Sequence, residues 1–213
     1  MLDQYFTVKI EGTDQQIIQK SRFIGYVKRV TSEEEAQDFI QSIKKKHADA
    51  NHNCSAYMIG EHDQIQKAND DGEPSGTAGV PILEVLKKRE LKDTVVVITR
   101  YFGGTKLGAG GLIRAYSSTT TLAINTTGVV ERKRMRTFYI KVDYTLLGKI
   151  ENELRQSTYL LENIEYLDVV TIHVRVLIGE ENFFIDWITD LTSGNADITE
   201  GEDSYIELDV SAH

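Results

Sequence analysis

A chain of 213 residues, 40% hydrophobic and 27% charged, is too apolar to be a disordered polymer and carries material for one large or two small cores. Its net charge of −9 excludes a surface built throughout for nucleic acid. The lone cysteine, Cys54, excludes an intrachain disulfide, and no CxxC or dense Cys/His spacing points to zinc.

No apolar stretch approaches the ~20 residues of a membrane span. The N-terminus, MLDQYFTVKIEG, lacks a basic run followed by an apolar core. A cytoplasmic protein with no membrane partner is expected. Strands are read at Tyr5–Ile10 and Gln16–Val30, with Gly12-Thr13-Asp14 as the turn between them. A helix follows: Thr31 or Ser32 is the N-cap, and Glu33, Glu34 and Glu35 sit where the helix dipole favours anions. Ala36, Phe39, Ile40 and Ile43 form its apolar stripe, and Lys44-Lys45-Lys46 closes it. Cys54–Gly60 reads as a short strand and Gln64–Gly79 as a long polar loop, a length that favours a functional segment. Ile82, Leu83, Val85 and Leu86 suit a helix through Lys88. Thr94–Thr99 (TVVVIT) has the continuous apolar character of a strand buried on both faces. A glycine-rich stretch and a helix from about Gly110 to Ile124 follow.

The remainder reads as strand (Arg136–Tyr144), helix (Leu147, Ile150, Leu154), two strands within Asn163–Ile178, helix (Phe184, Trp187, Ile188, Leu191) and a last strand or pair of strands over Ala196–Val210. That is the split βαβ order of a ferredoxin-like βαββαβ domain, with both helices on one sheet face. The expected fold class is α+β. The domain boundary is expected near Val129–Arg134, giving residues 1–132 and 133–213. Charge divides similarly: 19 Lys/Arg against 17 Asp/Glu through Arg134, and 5 against 16 after it. The two parts therefore face different electrostatic tasks.

The strongest chemical signal is Arg100-Tyr101-Phe102-Gly103-Gly104-Thr105-Lys106-Leu107-Gly108-Ala109-Gly110-Gly111, between a strand and a helix N-terminus. The first N–H groups of a helix have no intrahelical partner, and glycines let a ligand approach the backbone. Arg100, Lys106 and Arg114 supply cations. Neither GxxxxGK[ST] nor GxGxxG is met, so the residues leave open an anion site or a tight, packed turn. Tyr101 and Phe102 could stack on bases, one of them being core instead. Asp70, Asp71 and Glu73 could hold a cation or receive a basic partner, or form a solvated loop; the EF-hand pattern is not met. Ser75 and Thr77 are candidate nucleophiles that also suit a turn. His52 and Cys54 would share a strand face, but a catalytic pair needs an orienting third group. No catalytic residue, metal or cofactor is assigned.

The spaced pattern from Gly79 through Ile82-Leu83, Leu86, Leu91 and Val97-Ile98 to Arg100-Tyr101-Phe102-Gly103-Gly104 and Leu107-Gly108 resembles the signature of the Impact family. Asp70–Gly79 (DDGEPSGTAG) and Gly110–Tyr116 (GGLIRAY) extend the likeness, and the acidic tail is similar to that of the bacterial, YigZ-like branch. The resemblance implies a first domain similar to domain two of small-subunit ribosomal protein five and domain four of elongation factor G, followed by a ferredoxin-like domain. It also implies a translation-related regulatory role, since eukaryotic Impact proteins regulate translation. The expected binding residues are Asp70, Asp71, Glu73, Ser75, Arg100, Tyr101, Gly103, Gly104, Thr105, Lys106, Gly108, Gly110 and Arg114. The expected partner is RNA or a ribosome-associated protein, and not a DNA sequence. The alternative is a phosphate-handling, metal-dependent small-molecule enzyme.

Overall fold

In a computed structural model, described here for residues 1–210, the chain forms two units. One comprises Tyr5–Glu131 with Met1 and residues 208–210; the other comprises Arg132–Glu207 with Leu2–Gln4.

The first unit contains β1 (Gln4–Val8), β2 (Glu11–Ile18), β3 (Ser21–Arg29), α1 (Glu33–Lys46), β4 (His52–Ile59), β5 (Ile65–Asn69), α2 (Gly79–Lys88), β6 (Thr94–Tyr101) and α3 (Gly108–Thr127). Five strands form one antiparallel sheet in the order β2-β3-β6-β4-β5. β6 is its middle strand. Val95 and Val97 point into one cluster with Ala36, Phe39, Ile40 and Ile43 of α1. Val96 and Ile98 point into the other, with Ile82 and Leu86 of α2 and Leu112, Ala115, Tyr116, Ala123 and Ile124 of α3. The apolar run is thus buried on both faces because helices cover both sides of the sheet.

Two local expectations are corrected. Gly12-Thr13-Asp14 is not a turn but lies inside β2, paired with β3. A side chain at Gly12 would meet the Thr127 hydroxyl at 2.3 Å, so the glycine admits close approach of α3. The reversal falls instead at Gln19-Lys20, both at positive φ (44° and 68°), the geometry that matches strand twist in a two-residue hairpin. The long polar loop is also shorter than its composition suggests, because β5 adds to β4 and places Ile65 and Ala68 against opposite clusters.

At α1, Ser32 is the N-cap: its hydroxyl accepts the Glu35 N–H at 3.2 Å, while the Glu35 carboxylate accepts the Thr31 N–H at 2.7 Å.

The second unit follows the strand–helix order read from the sequence. It is built from β7 (Val129–Val142) from Arg132 on, α4 (Tyr144–Gln156), β8 (Leu160–Tyr166), β9 (Val170–Leu177), α5 (Glu181–Thr192) and β10 (Asp197–Val210) up to Glu207. Its sheet has five strands in the order β1-β7-β9-β8, with β10 also pairing β7. Phe138, Ile140 and Val142 of β7 and Val170, Ile172, Val174 and Val176 of β9 share one core with Ile150 and Leu154 of α4 and Phe184 and Ile188 of α5. Both helices therefore cover one face. The fold class is α+β.

Candidate functional site

The acidic loop begins where β5 ends. Asp70 accepts backbone N–H groups from Gly76 (2.8 Å), Ala78 (3.0 Å) and Gly79 (2.8 Å). It closes the loop and caps α2, whose N-cap residue Ala78 offers no acceptor of its own. Burial works to raise the Asp70 carboxyl, but the three N–H bonds outweigh it and hold it below the usual carboxylate value. Asp71, at φ 45°, accepts Lys44 Nζ at 2.6 Å and the Asn53 N–H at 2.7 Å. Glu73 turns inward and is buried. Each carboxylate has a different set of protein partners, and among the described residues no cluster suited to a metal ion forms. Ser75 is exposed, and the Thr77 hydroxyl donates to the Pro74 carbonyl at 2.6 Å.

Glu73 is the centre of a buried polar hub. Its Oε1 accepts Arg100 Nη1 at 2.7 Å and the Tyr116 hydroxyl at 2.8 Å. Arg100 also donates to Ser21 Oγ at 3.3 Å, and its guanidinium lies 5.3 Å from the Phe23 ring centre and 5.6 Å from that of Phe102. His52 Nδ1 sits 2.9 Å from the Asp71 carbonyl, which can only accept, so Nδ1 carries the proton. Its Nε2 then faces Glu73 Oε2 at 3.8 Å. The Cys54 thiol contacts the Asp70 carbonyl and the Tyr116 hydroxyl, not His52. Burial pushes that thiol far above its ordinary value, the opposite direction from that of an activated thiolate.

The acidic loop and the glycine-rich segment therefore meet, through Glu73, Arg100 and Tyr116. Tyr116 entered only as the last residue of the family-like stretch, with no role attached, and Ser21 carried no sequence signal. They lie 43 residues from Glu73 and 79 from Arg100 respectively, and only the sheet and α3 bring them in.

The strand period separates Arg100 from its neighbour. Tyr101 points to the α1 side of the sheet. There its hydroxyl donates to Asp49 Oδ1 at 3.0 Å and lies 2.9 Å from His47 Nδ1. Since Tyr101 gives its proton to Asp49, His47 Nδ1–H donates to Tyr101, and Nε2 accepts from Tyr26 at 2.6 Å. Phe102 is left 45% exposed, its N–H held by Asn51 Oδ1 at 2.7 Å. Of the aromatic pair, Tyr101 packs and Phe102 faces solvent.

The glycines divide by role. A side chain at Gly103 would come within 2.0 Å of the Lys20 backbone, so this position serves packing against the β2–β3 turn. Gly104 and Gly108 have positive φ (85° and 69°) and open space where a side chain would stand. Thr105, Lys106, Gly108 and Gly110 are exposed. α3 begins at Gly108 with no side-chain cap and no acid in its first turn. Among the described residues, Lys106 and Arg114 have neither a hydrogen bond nor an ion pair, and both are exposed. A groove beside them is lined by Ile18, Gln19, Leu107, Gly111, Arg114 and Ser118. The chemistry available here is that of uncapped N–H donors and free cations, which suits an anion.

Residues 19–124 match the family model of the Impact N-terminal domain, and residues 140–195 match that of a domain of unknown function, DUF1949. The chain is 61% identical over 211 residues to the IMPACT family member YvyE of Bacillus subtilis, spanning 99% of this chain and 97% of that protein. It is 32% identical over 180 residues to the IMPACT family member YigZ of Escherichia coli, spanning 84% and 88% of the two. A crystal structure described as that of a hypothetical protein superposes with a TM-score of 0.60 at 28% identity, over 95% of this chain and 99% of the other.

Proposed function

The chain belongs to the Impact family, and from that premise we propose that it is a translation-linked binding protein that contacts RNA through the outer face of its glycine-rich segment. The observation that carries this reading is the open stretch Gly104–Gly110. Its backbone is unobstructed, the following helix N-terminus is uncapped, and Lys106 and Arg114 have no internal partner among the described residues. Phosphate is the anion that recurs along an RNA chain and that such donors bind. Glu73 and Arg100 act behind this face. They are consumed by one another and fix the loop from which the contacting groups project. Asp70 and Asp71 have the same supporting role. A metal-dependent phosphate enzyme would need these carboxylates to converge, and their protein partners draw them apart.

RNA filter binding over about 50 to 200 mM salt tests the reading. Affinity is expected to fall steeply with salt. In a Lys106→Ala/Arg114→Ala double variant the slope should shrink by about 0.7 for each phosphate that is no longer neutralised. A flat salt response, or a slope the double variant leaves unchanged, would overturn it.

A further inference from the structure

We infer that the RNA segment seated on this face is unpaired, with one base stacked on Phe102. The inference rests on the RNA reading above and adds the class of strand. Phe102 directly precedes the glycine turn and is 45% exposed, where Phe23 and Tyr116, which pack on Arg100 and Glu73, are fully covered. It is not a loose side chain. Its backbone N–H is held by Asn51, and its ring lies over the Arg100 guanidinium, which Glu73 and Ser21 lock in place. One side of the ring is thus backed by a fixed cation, and the ring remains open to solvent. Next along the chain come the open glycine backbone and free Lys106; Lys20, exposed on the turn that packs against Gly103, adds another cation.

An aromatic platform beside a cationic backbone track is the combination that binds single strands, because every unpaired base has a free π-face. A duplex cannot use Phe102: its bases are stacked on one another, and it offers phosphates and 2′-hydroxyls alone. The cations supply the salt-dependent part of binding and Phe102 supplies a salt-independent part.

The test compares a single-stranded oligouridine of about 12 nucleotides with a blunt RNA duplex carrying the same number of phosphates, against the full chain and its Phe102→Ala and Phe102→Trp variants. The single strand is expected to bind more tightly than the duplex. Phe102→Ala should weaken the single strand by roughly 5- to 150-fold, the effect of removing one base–aromatic stack, with the salt slope unchanged. Phe102→Trp should retain binding, and its added indole fluorescence should be quenched by the single strand and not by the duplex. Equal binding of the two RNAs with Phe102→Ala silent overturns the stacking inference while leaving the phosphate reading in place. Failure of both RNAs to bind at low salt overturns both.

Discussion

Glu73 shows how a residue that reads as an exposed ligand in sequence can be buried among protein partners in space. Among carboxylates in a polar loop it reads as a ligand for a cation. In the fold it is 8% exposed and held between Arg100 and Tyr116. Two opposite charges taken from water need each other, and removing one strands the other in a low-dielectric interior. Glu73→Ala is therefore expected to cost about 3–5 kcal/mol in urea unfolding. The double variant Glu73→Ala/Arg100→Met should recover part of that loss, since the stranded charge goes with it. The Lys44–Asp71 pair is a contrast at the same scale. Both side chains reach solvent, so the ion pair alone is worth about 0–1 kcal/mol. The sequence could not tell these two carboxylates apart, because nothing local shows which one turns inward.

At the scale of elements, the legibility of the sequence follows the locality of the cause. α1 is readable because its cap, its apolar stripe and its terminal charges all lie within its own residues. The α2 start is not, because its cap arrives from Asp70, eight and nine residues before the N–H groups of Ala78 and Gly79. Asp70→Ala should destabilise the fold by up to about 2 kcal/mol, the upper range for a missing N-cap acceptor. Its pH dependence has a definite sign. The folded carboxyl lies below its ordinary 3.8, so its stabilisation is complete above that value and is lost as the pH falls through the folded one. Acid unfolding of Asp70→Ala monitored by circular dichroism should lack this component. An unchanged acid limb would show that the three N–H bonds do not hold the ionised form. The β2–β3 hairpin eludes a local reading for a related reason. Gly12 resembles a turn residue, but α3 packing against it keeps it in a strand, while Gln19-Lys20 takes positive φ without glycine.

At the scale of the whole molecule, the unit boundary lies at Arg132, yet each unit also takes in residues from a chain end. Leu2–Gln4 belong with the second unit, where the Arg134 N–H donates to the Asp3 carbonyl at 2.8 Å and the Arg134 side chain pairs with the Asp3 carboxylate. Residues 208–210 belong with the first, where Asp209 meets Lys9. Fragments cut at Arg132 would each lose such a segment. Both are expected to melt at lower temperature than the intact chain, measured by thermal circular dichroism. Fragments that match the intact chain would show these terminal segments to be energetically silent. The sequence by itself determined the α+β class, the two-part organisation of charge, the doubly buried strand Thr94–Thr99 and the family, since periodicity, composition and a spaced motif are all carried along the chain. Only the tertiary structure decided what the motif residues do. It joined Glu73 to Arg100, sent Tyr101 to the other sheet face, gave Gly103 to packing and left Gly104, Lys106, Arg114 and Phe102 outward. The reason is geometric. Strand alternation and helix packing set the direction of each side chain, and their partners lie tens of residues away in the sequence.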